Sequence, residues 1–142
     1  MTVEQIITEL KSAIKNQLGF PAFVLPQKAV NNTAHIDLLF IDLEECGEGS
    51  LKLSFSATYR TAGTHSKWLT ETVKLSRTIT RINKSDAPYM SLTVDGSKLR
   101  AYWIRDGKAG WVYPSEEESS MPAEYIIPYH IELDIPEKLL ED

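Results

Sequence analysis

Cysteine is almost missing from this chain: Cys46 is the single one in 142 residues. An internal disulfide framework and a CxxC metal knuckle are therefore excluded. Long apolar runs are missing too. The longest uncharged stretch, Asn16–Gln27, is broken by Pro21 and Pro26 and falls short of the roughly 18–20 apolar residues that span a bilayer. The N-terminus carries Glu4 and Glu9 in an amphipathic pattern, which does not read as a signal peptide. Phosphate loops and dinucleotide fingerprints are absent, since Gly47 and Gly49 stand in neither pattern. Neither HExxH nor GxSxG occurs. With 42% hydrophobic and 25% charged residues, the composition is that of an ordinary globular chain. These features predict one domain over residues 1–142, cytoplasmic and without a cofactor.

Charge is partitioned along the chain. Residues 1–59 carry a net −3, residues 60–108 a net +6 and residues 109–142 a net −8, within a total of −5. Opposed charge on one small surface suits a protein that docks head-to-tail onto its own copies.

Residues 2–18 read as an amphipathic helix. Thr2 and Gln5 form a capping box, Val3, Ile6, Leu10, Ala13 and Ile14 recur at helical spacing, and Gly19 stops the helix. Phe23–Leu25 is a short apolar piece, and Asn31–Thr33 a loop. His35–Leu43 (HIDLLFIDL) predicts a strand buried on much of both faces. Leu51–Tyr59 alternates cleanly and predicts a half-buried strand, antiparallel to the one before it. Residues 66–83 are rich in β-branched side chains, which weaken helices. The helical period nevertheless gathers Trp68, Leu69, Leu75, Ile79 and Ile82 on one arc and Lys67, Lys74, Arg77, Arg81 and Lys84 on the other. A strand could not separate these sets, so a helix is expected, with Ser66 as its N-cap.

After Pro88 a β-meander is expected: strands at Tyr89–Val94, Leu99–Arg105 and Trp111–Tyr113, with turns at Asp95-Gly96 and Asp106-Gly107. An acidic loop follows at Ser115–Met121. The closing strand, Tyr125–Ile135, contains Pro128 and is expected at a sheet edge or bulged there. The fold class is α+β: an antiparallel sheet with two helices on one face and a C-terminal meander.

Candidate chemistry is sparse. His35, His65 and His130 lack metal-motif spacing and read as structural. Cys46, beside Glu45, has no activating partner and reads as a loop cysteine. Glu44, Glu45 and Glu48, like Glu116, Glu117 and Glu118, lack the spacing of a calcium loop. No activated nucleophile or acid–base pair is visible, so a non-enzymatic role is expected. The candidate contact residues are the basic helix face (Lys67, Lys74, Arg77, Arg81, Lys84), the aromatics Trp103 and Trp111, and the acidic set Glu116, Glu117, Glu118, Glu132 and Asp134.

The N-terminal helix VEQIITELKSAIKNQL, the strand HIDLLFIDL, the helix WLTETVKLSRTITRI and the closing strand AEYIIPYHIELDI follow in an order that resembles phage tail terminator proteins. They cover about half the chain. The resemblance implies a non-catalytic structural protein that forms a ring, a hexamer, on the end of the tail tube and joins it to the head connector. Its partners would be copies of itself and other tail or head-completion proteins, in the host cytoplasm and the virion. The basic helix face would then line a lumen that DNA passes. The competing reading is a small cytoplasmic binding or regulatory module that uses the aromatic Trp103–Trp111 hairpin as its contact patch.

Overall fold

A computed structural model describes residues 1–25, 34–62, 65–113 and 123–141, without the side chain of His65. The expected loops at Asn31–Thr33 and Ser115–Met121, and with them Glu116, Glu117 and Glu118, lie outside the described residues.

Helix α1 spans Val3–Ala13 and runs into a π-helical turn, Ile14–Leu18. The capping box is present: Gln5 donates its backbone N–H to Thr2 Oγ1 at 3.2 Å, and Thr2 donates its own to Gln5 Oε1 at 2.7 Å. Gly19 ends the helix at φ +85°, where a side chain would be strained and would press on Lys74 Nζ. Helix α2 spans His65–Lys84. It starts one residue before Ser66, so Ser66 lies inside the helix, where its carbonyl accepts from Thr70 Oγ1 at 3.0 Å.

The strands are β1 (Ala22–Val24), β2 (His35–Glu45), β3 (Ser50–Thr61), β4 (Met90–Val94), β5 (Ser97–Arg105), β6 (Gly110–Val112) and β7 (Glu124–Pro136). They form one sheet in the order β1-β2-β3-β7-β5-β4, with β6 also paired to β7. The class is α+β, but the sheet is mixed: β1 pairs parallel to β2, through Ala22 with Ile36 and Val24 with Leu38. That correction has a simple cause. The three-residue β1 follows directly on the helix stop and is too short to carry a period of its own.

One sheet face is apolar. Leu53, Phe55, Ala57 and Tyr59 of β3 stand beside Leu133, Ile131, Tyr129 and Ile127 of β7, all buried. Leu99, Ala101 and Trp103 of β5 and Met90, Leu92 and Val94 of β4 continue the layer. Both helices cover it. Ile6, Leu10 and Ile14 enter the core from α1 and its extension, and Leu75 and Ile79 from α2. Phe20 meets Tyr59 edge-on, and Asn83 of α2 donates to the Trp103 carbonyl at 3.2 Å.

The meander is also corrected. Asp95 and Gly96, at φ +49° and +78°, make the expected two-residue turn between β4 and β5. Asp106-Gly107 makes no hairpin. Strand β6 carries on from β5 along the same side of β7: Arg105 stands opposite Tyr129 and Gly110 opposite Ile126. The interruption falls opposite Pro128, whose carbonyl accepts from the Asp106 N–H at 2.9 Å and which has no N–H to return. Strand β7 itself lies between β3 and β5, so the proline breaks the neighbouring ladder and does not mark an edge.

Candidate functional site

Strand β2 is the sharpest departure from expectation. Ile36 and Leu38 are fully buried, whereas Leu39, Phe40, Ile41 and Leu43 are 47, 53, 52 and 38% exposed. The register against β3 slips between Phe40 and Asp42, leaving Ile41 as an extra residue. Parallel β1 reaches only to Leu38, whose carbonyl accepts from the Leu25 N–H at 2.8 Å. Beyond that point β2 has β3 on one side and no strand of the described residues on the other. Phe40 and Leu43, opposite Phe55 and Leu53, lie on the face that carries the core, whereas Leu39, opposite Ser56, lies on the other face. Asp42, Glu44 and Glu45 are interleaved with this group and exposed.

The basic helix face stands where the period placed it. Lys67, Lys74, Arg77, Arg81 and Lys84 are exposed on α2, and among the described residues none takes part in a salt bridge. Lys74 lies over the Phe20 ring, 5.4 Å from its centre. Leu69 and Val73, 46 and 44% exposed, share this surface with the cations and line a shallow groove with Lys74, Arg77 and Arg81. Leu69 was expected on the buried arc. The helix sinks only its inner arc, centred on Leu75 and Ile79, into the sheet.

The aromatic candidates separate. Trp103 is 3% exposed and packs edge-on against Tyr129; as a core residue it cannot serve a surface contact. Trp111 is 41% exposed, and its chain neighbours Val112 and Tyr113 are 45 and 74% exposed. Trp111 also meets Trp68 and Tyr125, at 5.1 and 5.3 Å between ring centres, and Trp68 stacks on Tyr125 at 4.8 Å. This cluster anchors the start of α2 to β6 and β7.

The acidic residues of β7 are engaged within the chain. Glu132 lies 3.8 Å from Lys52 and 3.1 Å from His130 Nε2, and Asp134 faces Cys46 Sγ at 3.9 Å. His130 is bracketed by two carboxylates, with Asp106 on Nδ1. Partial burial pulls its pKa down, but the hydrogen bonds and charges of Asp106 and Glu132 outweigh that and raise it above the ordinary value. At the opposite end of this sheet face, Arg60 Nε binds Asp37 Oδ2 at 2.8 Å and its Nη1 reaches Glu124 at 3.3 Å. His35 Nε2 lies 3.3 Å from Asp37 Oδ1. Burial pushes the Asp37 carboxyl up, but His35 and Arg60 together hold it below its usual value.

These two ion clusters were invisible as motifs, because Asp106 and His130, like Asp37 and Arg60, meet only across strand pairs. Among the described residues no group of three or more His, Cys, Asp or Glu side chains could hold a metal ion. No helix of the described residues is long and apolar enough to cross a membrane. Searches against family models and curated proteins find no match to this chain.

Proposed function

We propose that this chain is a non-enzymatic structural protein that assembles with its own copies into a closed ring, in the manner of the phage tail terminators its element order resembles. In that role it caps the tail tube and joins it to the head connector. The observation that carries the reading is the basic face of α2. A set of cations flanking exposed Leu69 and Val73 has no acidic partner among the described residues of its own chain, and the protein as a whole is acidic, at −5. Acidic surface on a neighbouring copy is the nearest complement, and a heterologous contact of this kind closes into a ring where the rotation per copy allows.

Light scattering over a concentration series at low and high salt tests the proposal. The expected species is a ring of about six 16.0 kDa chains, weakened by salt because surface charge pairs are screened. A monomer at every concentration and salt overturns it. The exposed side chains of Trp111, Val112 and Tyr113 favour that second outcome's reading, a binding module whose partner is a different protein. The contact patch of such a module is the exposed end of β6, not a hairpin.

A further inference from the structure

We propose that the uncovered half of β2 on one copy docks along the outward stripe of α2 on the next copy, an inference that rests on the ring reading above. Both surfaces are exposed and both mix apolar with charged side chains, of opposite sign. Their order along the chain also matches. On β2 an apolar pair, Leu39 and Ile41, precedes an acidic pair, Asp42 and Glu44. On α2 an apolar pair, Leu69 and Val73, precedes a basic pair, Arg77 and Arg81.

The lengths are similar. Because Ile41 is an extra residue, Leu39 and Glu44 stand opposite Ser56 and Lys52, four strand steps or about 14 Å at 3.4 Å per residue. Twelve helical steps from Leu69 to Arg81 cover about 18 Å at 1.5 Å per residue. Within the pairs, Asp42 and Glu44 stand two residues apart on a strand, about 7 Å. Arg77 and Arg81 stand one helical turn apart, about 6 Å. Apolar meets apolar and acid meets base only when the strand and the helix run parallel, so the contact has one polarity. Glu44 is 4.0 Å from Lys52 in the isolated chain, an open pair that α2 of a neighbour can displace, since exposed ion pairs contribute about 0–1 kcal/mol.

The occupant is a second copy because the two surfaces belong to one sequence and neither is covered by described residues of its own chain. Strand β2 and helix α2 are different elements with different neighbours, so the contact is heterologous and leaves a free β2 and a free α2 at each end of an open chain. Closure consumes both.

The experiment uses complementary charge reversal. One variant carries Arg77→Glu and Arg81→Glu, the other Asp42→Lys and Glu44→Lys. All four side chains are exposed, and circular dichroism with thermal unfolding verifies that each variant keeps its fold. Each variant alone is expected to run as a monomer where the unaltered chain forms a ring. An equimolar mixture is expected to recover the ring mass, because every contact then joins one reversed α2 to one reversed β2 or one native pair. An uncharged third variant, Leu39→Ser with Ile41→Ser, is expected to raise the concentration for half-assembly by tenfold or more, as loss of buried apolar anchors does.

Rings that survive both reversals overturn this interface while leaving the ring reading intact. An unaltered chain that never assembles overturns both. If the α2 reversal leaves the ring mass unchanged but abolishes retention of duplex DNA at low salt, the helix face serves nucleic acid and the proposal fails.

Discussion

The two halves of β2 have nearly the same composition and opposite fates. Ile36 and Leu38 are sealed against the core, while Phe40 and Leu43 stand about half exposed on the same strand. Side-chain chemistry does not distinguish them; neighbours do. The first half has β1 on one side and β3 on the other, and the second half has β3 alone among the described strands. The face turned away from the helices shows the same division. At the covered end Asp37 is 5% exposed and held by Arg60 and His35. At the open end Glu44, Lys52, Glu132 and His130 form a looser, solvated chain of charge. Hydrophobicity therefore decides whether a residue can be buried, and topology decides whether it is.

The most direct way to break this comparison is to truncate matched residues. Ile36→Ala should destabilise the fold by about 2–5 kcal/mol, the usual range for deleting a fully buried aliphatic side chain. Phe40→Ala should cost the isolated chain less, about 1–2 kcal/mol, because half its surface is already in water and its edge-on contact with Phe55 is what it loses. Urea unfolding of both variants, at concentrations where the chain is monomeric, reads the difference. Equal losses would mean that Phe40 is covered in solution and that the exposed half of β2 is not exposed.

Asp37→Ala should rank next, at about 2–3 kcal/mol. Removing one partner of a fully buried pair costs about 3–5 kcal/mol, and the Arg60 side chain, 32% exposed, recovers part of that from water. The pH dependence has a definite sign. The Asp37 carboxyl is held below its ordinary value of 3.8, so its contribution is complete above that pH and is lost as pH falls through the lower folded value. Acid unfolding of Asp37→Asn should show a shallower loss below about pH 4 than the unaltered chain.

Much of this architecture was legible in the residues. The capping box at Thr2 and Gln5, the stop at Gly19, the amphipathic α2 and the Asp95-Gly96 turn all follow from local chemistry, and each stands as expected. The exposed half of β2 was not read, although one signal was present. In HIDLLFIDL the acidic residues Asp37 and Asp42 have opposite parity, so the strand has to change faces between them, which is what the extra residue Ile41 does. Nothing in the string could show that the pairing of β1 with β2 ends at Leu38, because strand partnership is non-local. The same limit hid the continuation of β5 into β6: Asp106-Gly107 has hairpin composition, and only the missing donor of Pro128, a strand away, makes it an interruption. Trp103 was misplaced as a surface aromatic because its side-chain parity matters only once β5 has a helix above it.

At the open end the titrating group is His130, and the sign is reversed. Its pKa is raised by Asp106 and Glu132 above the ordinary 6.5. The stabilisation is therefore fully present below that pH and disappears as pH rises through the folded value. His130→Gln should flatten this alkaline slope and leave the acid limb of Asp37 unchanged, because the two clusters share no residue. Thermal unfolding between pH 2 and 9 covers both limbs. A slope that survives His130→Gln would assign it to another group and detach the two ends of the sheet from this titration scheme.

The smallest effect is expected inside the core. The indole N–H of Trp103 is buried and has no hydrogen-bond partner among the described residues. An unsatisfied buried donor costs about 1–3 kcal/mol relative to one that is paired, while the bulk of the indole contributes through packing against Tyr129. Trp103→Phe removes the orphaned donor and some of the volume together. The two changes oppose each other, so stability should move by less than about 1 kcal/mol, whereas Trp103→Ala should lose about 3–5 kcal/mol to the cavity. A large loss for Trp103→Phe would show that the N–H is satisfied in solution. Because Trp103 lies in the core, neither substitution should alter ring mass in any variant that still folds, whereas Leu39→Ser should alter ring mass with little change in stability. That pairing separates the two kinds of apolar residue in this chain, those that hold the fold and those left over to hold a neighbour.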